Sequence, residues 1–360
     1  MACFASRTKV EWDVEPEKLL SHAASIAEKT EQQFAAEGIA EAPKLPLFRQ
    51  RKPVISAPKK LPDEAARLLL RDSISPLPLH RTLTLLNIMD RFADERFSQH
   101  ERLALAKAVV LEISNLEFGP EVGVGPPKSD APAVHTWLEG IRDMTEDLRH
   151  LRSLPKVSTM VYRADSRGVA GVLEAESIDA VITSPPYPNE KDYTRTTRLE
   201  SVLLGFVQNK QQLRALKRDL VRSNTRGVYK GDEDHLFSSS YERVQRIARA
   251  IERRRKELGK TSGFERLYAR VTQLYFGGMA RHLGELRLVL KPGALLAYVV
   301  GDQASYLRVM IRTGEILAEI ANSLGYEVLG NHLFRTRLAT ATREQLREEI
   351  VILRWPRKRN

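Results

Sequence analysis

Residues 178–183, Ile-Asp-Ala-Val-Ile-Thr, run directly into Ser184-Pro185-Pro186-Tyr187, and this junction constrains the chain more than any other stretch. A short apolar run bounded by turn residues is the pattern of a strand buried within a sheet. Each proline fixes φ and lacks an N–H, so the strand ends in a rigid turn whose carbonyls face outward with few donors of its own. Further strands are predicted at 157–166 (VSTMVYRADS), 293–303 (GALLAYVVGDQ), 325–334 (GYEVLGNHLF) and 348–355 (EEIVILRW). Helical patterns separate them at 172–175, through 241–290 and at 310–325, so residues 151–360 read as an α/β sheet layered with helices. In such sheets ligands collect at the carboxyl ends of strands, and three expected strand ends carry polar residues: Asp165, Ser184 and Asp302.

Residues 1–150 have a different texture, mostly helical, with proline-rich stretches at 41–62 and 118–133 that read as extended loops. Pro62 before Asp63 and Glu64, and Ser98 before His100 and Glu101, mark two helix starts. The single cysteine, Cys3, excludes an internal disulfide and a cysteine-based zinc knuckle. No apolar run reaches the ~18 residues that span a bilayer, and the first residues lack a signal-peptide core, which predicts a cytoplasmic protein.

The net charge of +11 points to a polyanionic partner, and its placement is uneven. Between residues 209 and 260, fifteen Lys or Arg stand against seven Asp or Glu. The densest part is a helical pattern in which Val244, Ile247, Ile251 and Leu258 mark an apolar side. Arg246, Arg249, Arg253, Arg254, Arg255 and Lys256 cover the rest, as either an ordinary solvated face or an arm that tracks nucleic-acid phosphates.

The turn at 184–187 suits an exocyclic amino group. Ser184 and the Pro185 carbonyl can accept its hydrogens and orient the nitrogen lone pair, while Tyr187 stacks on the ring that carries it. The plainer alternative is a proline-rich connection without chemistry. TSPPY resembles the catalytic motif of amino-group DNA methyltransferases, which methylate N4 of cytosine or N6 of adenine with S-adenosylmethionine. YRADSR resembles the segment that borders the adenosyl site in this family, RLVLKPGALLAYVVGD its fifth strand with a Lys-Pro-Gly entrance, and the tail its closing antiparallel hairpin. The likeness covers residues 155–356.

The resemblance implies a class I, Rossmann-like methyltransferase sheet and double-stranded DNA as substrate. It places Ser184, Pro185, Pro186 and Tyr187 at the catalytic turn and Asp165, Ser166, Asp179 and Ser184 around the cofactor. The amine would attack the sulfonium methyl in line, with catalysis by orientation and modest electrostatics. A serine at the first motif position leans towards N4-cytosine, with N6-adenine as the alternative. C5 methylation would need a Pro-Cys nucleophile, and Cys3 has no such context.

The family's Gly-rich cofactor loop and its ribose carboxylate have no counterpart here. The nearest stretch, VVLEISNLEFGPEVGVG with Glu112, Gly119, Gly123 and Gly125, has its glycines too far after any strand, and they lead into PPK rather than a helix. AVVLEISNLEF also continues the helical period before it. The resemblance thus implies an incomplete sheet, the first residues corresponding to the stretch just after the family's second strand, and a companion chain that supplies the first two strands and the loop. Two other readings remain open: a noncatalytic DNA-binding or scaffold protein descended from a methyltransferase, and an enzyme acting on RNA guanine N2 or protein glutamine.

Overall fold

In the computed structural model, residues 1–41, 58–119, 121–189, 191–338 and 345–356 are described. Most of the proline-rich stretch at 41–62, residues 42–57, lies outside them. The chain forms two compact units, Met1–Arg163 with Tyr193–Arg214, and Ala164–Asp192 with Ala215–Asn360. The division falls at 163 rather than near 150, and residues 193–214 return to the first unit.

The first unit is helical: α1 (Ala2–Val10), α2 (Pro16–Ala36), α3 (Asp63–Ala66), α4 (Pro76–Arg91), α5 (Ser98–Ala108), α6 (Val134–Leu151), α7 (Tyr193–Thr196) and α8 (Arg198–Leu203). Proline at the first position of α2 and of α4 starts each helix without losing an intrahelical bond. Leu19, Ala23, Ile26, Ala27, Thr30 and Phe34 recur at helical spacing as the buried stripe of α2, and Val134, Trp137, Ile141, Thr145 and Leu148 form that of α6. The Glu41 carboxylate accepts the backbone N–H groups of Ala133, Val134 and His135, placing negative charge where the α6 dipole is positive.

The helical period expected through 108–118 does not persist. After α5 the chain makes one π-turn at Val109–Ile113, then pairs β1 (Leu116–Phe118) with β2 (Val122–Val124) as an antiparallel hairpin. Gly119, Gly123 and Gly125 lie in or beside this hairpin, and Gly125 donates its N–H to Asn115 O at 2.7 Å, so no strand–glycine–helix turn forms here.

The second unit holds a four-stranded mixed sheet in the order β3 (Ile178–Thr183), β4 (Leu290–Gly301), β6 (Gln345–Arg354), β5 (Glu327–Leu338). β3 is parallel to β4, and the other pairs are antiparallel. Its helices are α9 (Lys210–Arg218), which straddles the division between units, α10 (Glu242–Glu257), α11 (Tyr268–Leu286) and α12 (Thr313–Ser323). Leu296, Tyr298, Val300, Val351 and Leu353 form one core with Tyr275, Met279 and Leu283 of α11 and Leu317 and Ile320 of α12. Leu295, on the opposite face, is 47% exposed, and Ile182 on the outer strand is 87% exposed. Among the described residues, β3 has no strand on its outer edge.

The strand expected at 157–166 is absent, and these residues run irregularly up to a 3-10 turn at Ser166–Gly171. Apolar residues alone do not make a strand without a ladder partner, and here Val157 and Met160 face solvent. Asp165 therefore caps a turn instead of ending a strand. No helix among the described residues is long and apolar enough to cross a membrane.

Candidate active site

The site is built at the carboxyl end of β3. Thr183 is in register with Tyr298 of β4, and the next residue, the exposed Ser184, donates its Oγ hydrogen to Val299 O at 3.3 Å. Pro185, Pro186 and Tyr187 are half-buried, and the turn closes on itself when Asn189 N donates to Tyr187 O at 2.8 Å. The Asn189 Oδ1 in turn accepts Lys191 N at 2.9 Å. A Cβ placed on Gly301 would lie 2.9 Å from the Tyr187 ring, so the aromatic residue rests on bare backbone at the end of β4.

Two further segments brace the turn. Asn224 Nδ2 donates to Lys191 O at 3.1 Å, Lys217 Nζ pairs with Asp192 at 2.7 Å, and buried Tyr306 donates its hydroxyl to Ser223 O at 2.9 Å. Tyr306 lies in the excursion that follows β4, closed by a bridge between Gln303 and Ile311. Within it Leu307 and Arg308 are consecutive left-handed residues, with φ of 54° and 64°, a strained backbone of the kind that clusters at working sites. Asp302, also proposed from its strand end, is buried and held by Arg312 Nη1 at 2.5 Å.

Ser166, next to Asp165 in the chain, is tied to this end of the sheet by a single imidazole. His282 of α11 donates from Nδ1 to Ser166 O at 2.9 Å, and its Nε2 accepts the Tyr298 hydroxyl at 2.7 Å. Burial pushes the His282 imidazole below its ordinary value, consistent with the neutral form these two bonds require. The Asp165 carboxylate itself is engaged. It accepts Arg167 N at 2.9 Å and Arg167 Nη2 at 2.6 Å, and although burial would raise it, these bonds hold it below the usual carboxylate range.

Asp179 is not brought to the others. It lies five residues before Ser184, about 16 Å away along an extended strand, and pairs with Lys291 at the opposite end of β3. The basic segment forms α10 as expected, with Val244 and Ile251 buried, but Leu258 is 44% exposed at its end. Most of its cations are neutralised. Arg243 pairs with Glu315 and Glu319, Arg249 with Glu242, Arg254 with Glu257, and Arg255 and Lys256 with Glu252. Among the described residues only Arg246 and Arg253 of the six proposed cations have no ion pair, and Arg253 borders an open groove of about 490 Å³ beside Ala269 and Gln273.

The supporting residues Gly301, His282, Tyr298, Asn224 and Arg167 escaped the sequence reading. Only the Gly301-Asp302 pair at the end of an apolar run carried a signal, since glycine closing a strand marks close approach of another group.

No family model matches the chain. It is similar to Type II methyltransferases: 29% identical over 210 residues to M.AvaI of Nostoc sp. and, equally, to M.AvaI of Anabaena variabilis, covering 54% of this chain and 42% of each relative. To M.BsoBI of Geobacillus stearothermophilus it is 27% identical over 245 residues, 63% of this chain and 47% of the relative. The chain thus spans less than half the length of the curated relatives it matches. A DNA modification methylase candidate from Thermus thermophilus aligns over 55% of this chain and 54% of its own at 15% identity, with a TM-score of 0.28, too distant to carry the fold.

Proposed function

We propose that this chain is the target-base half of an S-adenosylmethionine-dependent DNA methyltransferase acting on an exocyclic amino group, N4 of cytosine ahead of N6 of adenine. The observation that carries it is the turn Ser184–Tyr187 at the carboxyl end of β3, with an exposed serine hydroxyl and with Tyr187 laid on Gly301. Ser184 Oγ and the Pro185 carbonyl accept the two amine hydrogens, and Tyr187 stacks on the base. Similarity to Type II methyltransferases supports DNA as the substrate over RNA guanine or protein glutamine.

The described residues do not by themselves fit S-adenosylmethionine. Asp165 is engaged by Arg167, Asp179 by Lys291, and the glycines at 119–125 belong to a hairpin of the helical unit. The open edge of β3 and the exposed Ile182 support a sheet completed by a companion polypeptide, which brings the cofactor loop in this reading. In parallel sheets such a strand is covered on both sides.

The test is methyl transfer to duplex DNA by the chain produced together with the polypeptides encoded beside it, followed by digestion to nucleosides and mass spectrometry. N4-methylcytosine or N6-methyladenine is expected, lost in Ser184→Ala and Tyr187→Ala. Methylation confined to RNA or to protein glutamine would overturn the proposal, as would unchanged methylation in both variants.

A further inference from the structure

We infer that one row of residues across three strands, Gly301, Glu348 and Arg335, is the floor that fixes the Tyr187 ring, making all three positioning residues for the stacked base. This rests on the base-pocket reading of Tyr187. The row is set by register, Gly301 opposite Glu348 between β4 and β6, and Glu348 opposite Arg335 between β6 and β5.

Each member contributes differently. Gly301 is not among the residues of positive φ, so its backbone would accept any side chain, and glycine is required there for room. A Cβ would come 2.9 Å and 3.3 Å from two carbons of the Tyr187 ring and 3.3 Å from Glu348 Cγ, so ring and glutamate stem converge over one bare Cα. The Glu348 carboxylate, only 7% exposed, is fixed by Arg335 Nε at 2.5 Å and approached by Arg337 Nε at 3.6 Å. Arg335 stands 66% exposed at the outer end of the row. A ring held on its underside by backbone, beside a glutamate stem that Arg335 fixes, is restricted in orientation, and stacking onto it loses less conformational freedom.

The experiment uses the full chain with 3-fluorotyrosine, the Tyr187 resonance being assigned by its loss in Tyr187→Phe. The variants are Gly301→Ala, Glu348→Gln and Arg335→Lys. Each is expected to shift or broaden that resonance, and an unchanged resonance in all three overturns the floor whatever the DNA result. Fluorescence anisotropy with a mixed-sequence single-stranded oligonucleotide supplies the second readout. Tyr187→Ala should weaken binding about tenfold, Gly301→Ala by a similar factor, and Gly301→Ala should add nothing in the Tyr187→Ala background. Additive losses overturn the floor. If Tyr187→Ala leaves affinity unchanged while the fluorine resonance responds, it is the base-pocket reading that fails and the floor that stands. If Gly301→Ala does not fold, the isosteric Glu348→Gln and exposed Arg335→Lys carry the same test.

Discussion

Arg167 and Asp234 pair inside the α/β unit with 7% of each side chain exposed, joining the turn after Asp165 to a segment 67 residues further along. Arg167 Nη2 also reaches Arg218 O at 3.1 Å, so one guanidinium gathers three stretches of chain that have no strand in common. Without Arg167, the buried Asp234 keeps, among the described residues, only Arg281 at 3.6 Å and loses its close partner. Arg167→Met should cost about 3 to 5 kcal/mol in denaturant unfolding, whereas a loss under ~1 kcal/mol would mean that water enters to replace the guanidinium.

The helical unit should be acid-favoured because of Glu200. Burial raises its carboxyl from 4.5 to about 7, and its Oε2 has no hydrogen-bond partner among the described residues. A carboxyl whose folded value is raised contributes stability below its unfolded value and loses it as pH climbs through the folded one, here between 4.5 and about 7. At pH 8, Glu200→Gln should therefore be the more stable protein, by about 3 kcal/mol, with the gap closing at pH 4. Equal unfolding midpoints at both pH values would show that the carboxylate is solvated.

Binding of duplex DNA should depend on Arg246 and Arg253, the cations of α10 without an ion pair among the described residues. Arg246→Ala and Arg253→Ala are each expected to flatten the slope of log affinity against log salt by about one contact. Arg255→Ala, which removes a cation already held by Glu252 at 2.7 Å, should change the slope far less. A salt series by anisotropy separates the two classes, and equal slopes in all three variants would make α10 a solvated helix.

Ile182→Lys separates the companion reading from a self-sufficient chain. With the side chain 87% exposed, the substitution should cost the isolated chain less than ~0.5 kcal/mol. The same lysine should abolish methyl transfer in the coproduced preparation, where a neighbouring strand would bury it. Full activity with lysine at this position would leave β3 as a true edge.

The parts legible from sequence were those whose neighbours share their chemistry. β3, β4 and β6 were visible because apolar residues of the sheet are nearly continuous in the chain, and α2 and α6 because their stripes repeat within a few residues. The segment 157–166 has the same apolar content, but a strand is defined by its partner, and among the described residues none lies beside it. Asp165 and Asp179 looked like ligand groups for a similar reason: their engagement by Arg167 and Lys291 is invisible in their own neighbourhoods. Most remote from sequence is the contact of Tyr187 with Gly301, made by residues more than a hundred positions apart.

That separation governs how the sheet is assembled. β5 and β6 are consecutive in the chain, while Thr183 and Tyr298 must be brought together across over a hundred residues that contain α10 and α11. Loop closure of that length comes at an entropic cost that the hairpin avoids. Among the described residues β3 and β5 are each held from one side only, but β3 lacks a hairpin partner, so amide exchange should be faster in β3 than in the other strands of the sheet. The proline turn and Tyr187 therefore follow the strand whose pairing closes the longest connection in the sheet.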